Sequence, residues 1–229
     1  MLFRSAGAQS TDSCATLAAK SDVLILCVTA SPQVEDVIFR QDGVLTGLKR
    51  GAIVLDCTTA IPSSTLKVAQ AVQDAGGRYL DTAMTRTSKE AEEGRLGLIV
   101  GGDEALFKEV EPFLHCFAES ISYTGPTGNG HKLKLLHNFV SLGFAALLAE
   151  AAACAGRAGV PPKVFLDVLE KGAGDGVSRR RIGHEAAPEQ RVSLGIIDPI
   201  EPSARNSQTL DVGRDRRQII HVYRHRNSV

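Results

Sequence analysis

Lys134, Asn138 and Ser141 are spaced by four and then three residues, so a helix would carry an ammonium, an amide and a hydroxyl in one row. The row lies in the longest apolar stretch of the chain, which opens as GNGHKLKLLHN from Gly128 to Asn138 and runs on as FVSLGFAALLAEAAACAGRAG. A lysine that is buried costs free energy unless something pairs or uses it. The chemistry open to such a row is proton transfer to an oxygen on which charge develops, with neighbours that orient donor or acceptor. Taken alone, Lys134 would be a solvated residue at a helix start. Gly128 and Gly130 stand just before it and Asn138 one turn after it. Lys132 points elsewhere and reads as surface, and His115 and His131, without a nameable partner, read as structural or exposed.

Elements that could hold this row follow from apolar runs. VLILCV (23–28), AIVLDC (52–57), RYLDTA (78–83), LGLIVGG (96–102) and SISYTG (120–125) have strand length and nearby turn residues. The first two do not alternate, as expected of strands covered on both faces. Helical patterns intervene: VEDVIF, then PSSTLKVAQAVQDAGG with Pro62 near its start, then DEALFKEVEPFLHCF with Asp103 as its cap. This alternation predicts an α/β fold with an incomplete Rossmann-like parallel sheet, followed by the start of an all-helical domain. The expected segments are a partial dinucleotide-binding domain at 1–126, the first helices of a helical domain at 127–176 and a separate tail at 177–229.

Composition sets outer bounds. The 229 residues are 43% hydrophobic with zero formal net charge, so a core can form and no global field favours nucleic acid or membrane. Polar interruptions at His137, Asn138, Ser141, Glu150 and Arg157 argue against a membrane span in the long apolar run. Cys14, Cys27, Cys57, Cys116 and Cys154 lack metal spacing and read as small buried hydrophobes in a reducing, cytoplasmic setting. No metal is expected. Up to Gly176 there are nine Lys and seven Arg, and beyond it ten Arg and no Lys. That switch, with no sustained periodicity, predicts a tail lacking regular structure and suggests a shifted reading frame. An alternative in which the tail arginines contact nucleic acid is weakened by six acidic residues among them.

Four segments, in order, resemble the β-hydroxyacid dehydrogenase family. SDVLILCVTASPQVEDVIF resembles the strand and turn beneath the cofactor, here Cys27, Val28 and Thr29. DCTTAIP resembles the segment near the nicotinamide and includes Thr58 and Thr59. DTAMTRTSKEAEEGRLGLIVGG resembles the substrate loop, and GNGHKLKLLHN resembles Gly-x-Gly-x-x-x-Lys-x-x-Asn-Asn. The resemblance, over about 7–176, implies NAD or NADP as cofactor, Lys134 as acid/base assisted by Asn138, and hydride transfer on a small β-hydroxy acid or semialdehyde. His137 stands where the first Asn is usual. Thr85, Arg86 and Thr87 replace the usual Ser-Gly-Gly, and a guanidinium there suits an anionic substrate, with His137 and Ser141 assisting. Arg86 has an equally good alternative in pairing with Glu90, and Thr58 and Thr59 in capping the next helix. A Gly-x-Gly-x-x-Gly phosphate turn does not occur in the sequence. The resemblance therefore also allows a chain that keeps the scaffold without the activity. Missing helical partners predict an exposed apolar face on the long helix, suited to homo-oligomer formation, and an unpaired outer edge on the first strand.

Overall fold

A computed structural model describes residues 10–172 and 219–223. Strands β1 (Val23–Cys27), β2 (Ile53–Asp56), β3 (Arg78–Thr85), β4 (Leu96–Gly102), β5 (Ala118–Tyr123) and β6 (Ile219–Tyr223) form one sheet in the order β5-β4-β3-β2-β1-β6. The helices are α1 (Cys14–Ala18), α2 (Ser31–Phe39), α3 (Val44–Gly47), α4 (Pro62–Asp74), α5 (Ser88–Glu92), α6 (Glu104–Leu114), α7 (Asn129–Arg157) and α8 (Pro162–Lys171).

Side-chain alternation along the strands divides the core in two. Leu24, Leu26, Val54 and Tyr79 pack with residues of α1 to α4 on one face. Ile25, Ile53, Leu55, Leu80, Leu98 and Val100 form the other, with Leu106, Phe107, Val110 and Leu114 of α6. Both faces being covered explains why β1 and β2 read as unbroken apolar runs. At α6, Asp103 accepts from Leu106 N at 2.8 Å, the cap expected from the sequence.

The α/β architecture is as expected, with one correction to the parallel sheet. Strands β1, β2 and β3 are parallel and so are β4 and β5, but β4 runs antiparallel to β3. Only residues 86–95 separate β3 from β4, and the single turn of α5 within them cannot carry the chain back along the sheet for a parallel return. A second correction concerns the edge of β1. It is paired antiparallel with β6, from Val23 opposite Tyr223 to Cys27 opposite Ile219. The expectation of an irregular tail is overturned for these five residues; the rest of it lies outside the described residues.

The chain divides into two compact units: described residues up to 137 together with 219–223 form one, and 138–172 the other. The division falls within α7, whose first turns belong to the sheet-bearing unit. By length and composition α7 is apolar enough to cross a membrane. All five cysteines are free, and Cys116 and Cys154 are exposed, contrary to the expectation that all five are buried.

Candidate functional site

The first turn of α7 is tied to the sheet by one carboxylate. Asp81, on β3 and fully buried, accepts from Gly128 N at 2.7 Å through Oδ1 and from His131 N at 3.0 Å through Oδ2. Two of the N–H groups that a helix start leaves unpaired thereby meet a negative charge, which the helix dipole favours. The approach needs glycine. A Cβ on Gly130 would lie 2.7 Å from Ile99 O and 2.8 Å from Asp81 Oδ2, and Gly128 has φ +89°. His131, also fully buried, holds Thr65 Oγ1 of α4 through Nδ1 at 2.7 Å. Its partner is thus the residue the sequence could not supply. Asp81 and Thr65 were not anticipated either; the available signal was a carboxylate within an otherwise apolar strand, followed by a Gly-x-Gly helix start.

One turn beyond this anchor sits Lys134. It is half-buried, and burial holds its ammonium below the ordinary lysine pKa. Asn138 and Ser141 follow it on α7 at the expected spacing and are half-buried too. His137 is exposed. The apolar flank of the helix is open: Phe139 is 77% exposed, Leu142 69% and Leu147 71%. This is the uncovered face expected from the sequence.

The ends of β1 and β2 lie together, as the register of the parallel pair requires. Val28 N donates to Thr58 Oγ1 at 3.3 Å, linking the two segments expected beneath a cofactor. Thr58 is buried, while Cys27, Val28 and Thr59 are half-buried and Thr29 is exposed. Neither threonine caps α4, whose N-cap is Ile61. Below them Asp56 accepts from Thr58 N at 3.0 Å and from Tyr79 Oη at 2.9 Å. Burial, reinforced by Asp56 and Asp81, pushes the Tyr79 phenol well above its ordinary pKa. Burial likewise raises Cys57 to about 12, against a hydrogen bond with Thr82 at 3.1 Å. Thr29 and Thr59 thus lie just past the carboxyl ends of two neighbouring parallel strands, the edge at which open α/β sheets bind their ligands.

The three residues expected to bind substrate, at the end of β3 and the start of the β3–β4 loop, have local partners. Thr85 Oγ1 donates to Gly97 O at 3.2 Å, and Thr87 forms a capping box with Glu90. Arg86 pairs with Glu119 and donates to Arg95 O at 2.7 Å, so the alternative pairing with Glu90 is not made. Arg86 also has φ +79°, which places an arginine in backbone space that glycine occupies most readily. This accounts physically for the glycine usual at this place in the resembling family. Among the described residues no group of acidic, histidine and cysteine side chains could hold a metal ion.

Residues 2–125 match the NAD binding domain of 6-phosphogluconate dehydrogenase. With the sheet and the glycine-led helix start, that match makes the chain a member of the β-hydroxyacid dehydrogenase family. It is 32% identical over 189 residues to 2-(hydroxymethyl)glutarate dehydrogenase of Eubacterium barkeri, covering 82% of this chain and 61% of that one. It is 31% identical over 158 residues to 2-hydroxy-3-oxopropionate reductase of Escherichia coli, covering 69% and 54%. The fold superposes with TM-score 0.68 and 26% identity on Psf3 solved with NADP+ and 2-OPP, over 76% of this chain and 61% of that one. The chain thus spans a little over half the length of the curated relatives it matches.

Proposed function

We propose that this chain derives its function from NAD(P)-dependent interconversion of a small anionic β-hydroxy acid and its semialdehyde, with Lys134 as the acid/base. The observation that carries this reading is a desolvated lysine one turn inside an anchored, glycine-led helix start. A bound nicotinamide supplies or accepts the hydride. Lys134 gives a proton to the substrate oxygen as its carbon is reduced and takes it back in the reverse direction. A lysine whose pKa is drawn toward neutrality moves that proton at smaller cost. Asn138 orients the lysine or the substrate, with Ser141 and His137 nearby along α7. Cys27, Val28, Thr29, Thr58 and Thr59 would flank the nicotinamide ring at the ends of β1 and β2. Arg86 receives the anionic group after exchanging Glu119 for it, with Thr85 and Thr87 framing the loop. The substrate class is supported by the relative that reduces 2-hydroxy-3-oxopropionate, an aldehyde acid. We place the protein in the cytoplasm, without nucleic-acid or membrane partners, and assign the exposed face of α7 to a second copy of the chain. Sedimentation of the purified protein tests that last assignment.

A second reading is favoured by one observation: the sequence contains no Gly-x-Gly-x-x-Gly turn to cradle the pyrophosphate. On this reading the chain keeps the family scaffold, with sheet-bearing and helical segments meeting near residue 126, but binds no dinucleotide. Calorimetric titration with NADH and NADPH separates the two. Micromolar binding supports the enzyme, whose activity must then fall with Lys134→Ala. Absence of binding supports the inactive scaffold.

A further inference from the structure

Lys134 could be set in place by the whole helix or by a particular contact, and the geometry at the start of α7 distinguishes them. Each Asp81 carboxylate oxygen is engaged by a different main-chain N–H of that start, at 2.7 and 3.0 Å. The imidazole three residues before Lys134 is fixed separately to α4 through Thr65, at 2.7 Å. Both tethers are buried, with Asp81 and His131 at 0% and Thr65 at 1% exposure. They converge from two elements of the sheet-bearing unit, β3 and α4, on one helical turn. The apolar residues flanking Lys134 are exposed, with Leu133 at 42%, Leu135 at 39% and Leu136 at 61%. Packing of those flanks offers the lysine little support, whereas the tethers lie directly behind it.

We infer that Asp81 and, through His131, Thr65 are positioning residues that hold Lys134 in its half-buried place. The inference rests on the reading of Lys134 as the acid/base. Asp81 acts by geometry, since burial is what lowers the lysine pKa. Releasing the tether should let the first turn fray and rehydrate the ammonium. A cap that merely adds global stability would not do this, because the folded molecules that remain would keep Lys134 in its original surroundings.

The test follows the full chain by NMR, with 13Cε-labelled lysine for side-chain titration and 15N for amide exchange; Lys134→Arg identifies the resonance. In the wild type, Lys134 should titrate below the other eight lysines. In Asp81→Asn its midpoint should rise toward theirs, and exchange at the Gly128 and His131 amides should quicken about tenfold, the loss of a helix cap. Amides of α6 should not change. Thr65→Val should give a smaller rise, and it carries the test should Asp81→Asn fail to fold. A lowered wild-type midpoint that stays put in both variants overturns the positioning role while leaving Lys134 as the acid/base. A wild-type midpoint indistinguishable from the other lysines overturns the acid/base reading itself, and the positioning role with it.

Discussion

Arg86 offers a measurement in which backbone and side-chain effects separate. Its φ of +79° costs a residue with a Cβ about 1–2 kcal/mol. Its guanidinium pairs with Glu119, but the two side chains are 32% and 49% exposed, so solvent screening reduces that pair to about 0.2–1 kcal/mol. Arg86→Ala loses the pair and keeps the backbone cost. Arg86→Gly loses the pair and removes the backbone cost, offset by about 0.4–1 kcal/mol for the greater freedom of glycine in the unfolded chain. The glycine variant should therefore be more stable than the alanine variant by about 1 kcal/mol, which in a chain of this size is about 2–4 °C in melting temperature. Differential scanning calorimetry of both proteins at neutral pH measures it. Repeating the scans at about 1 M salt should weaken the wild type toward the alanine variant yet leave the gap between the variants intact, because salt screens charges and not φ. An alanine variant that melts at or above the glycine variant would refute the assignment of backbone cost to this position.

Other outcomes follow from the same geometry. Lys134→Met should raise the melting temperature at neutral pH while abolishing proton transfer. A lysine whose folded pKa is depressed destabilises the fold when charged, and in the wild type that penalty fades as pH rises from the folded toward the unfolded value. Acid should also destabilise the fold at Glu109, which Arg78 bonds at 2.5 and 2.9 Å and holds below the usual glutamate value. Its contribution is complete above the unfolded pKa and disappears as pH falls through the folded one, so urea midpoints measured downward from pH 5 should fall less steeply in Arg78→Gln. Iodoacetamide at pH 8 should label Cys116 and Cys154 first and Cys57 last, because Cys57 is buried and its thiol lies at about 12; peptide mass spectrometry gives the order.

Strands β1 to β5 and their order of appearance were readable because continuous apolar runs of five or so residues, bounded by turns, have few other uses, whereas β6 lay in a tail read as irregular. LGLIVGG even coincides with β4 at both ends. Its direction was not readable: a ten-residue link containing a short helix resembles a crossover in composition, and only its length in space shows that it is a hairpin. Helices α1 and α3, of five and four residues, are too short to show a period. At the candidate site, the row from Lys134 through Asn138 to Ser141 on α7 could be read from spacing. Asp81, Thr65 and His131 could not be grouped, because their association depends on β3, α4 and α7 meeting, a fact carried by tertiary packing and by no local pattern. Arg86 shows the reverse limit. Its charge suggested an anion site, but a guanidinium takes whichever carboxylate is near, and Glu119 lies on a strand 33 residues away.

The pairing of β1 with β6 has a consequence in time. Val23 and Tyr223 are opposite each other although 200 residues separate them. During synthesis at about 5–20 residues per second, β1 emerges roughly 10–40 s before its last neighbour exists. Throughout that interval the other four strands can assemble, but the sheet remains open on one side to any extended segment that reaches it. Contacts this distant in sequence also slow the closing step of folding. The molecule is therefore most vulnerable to wrong partners late in its birth, at a strand that is among the first to be made.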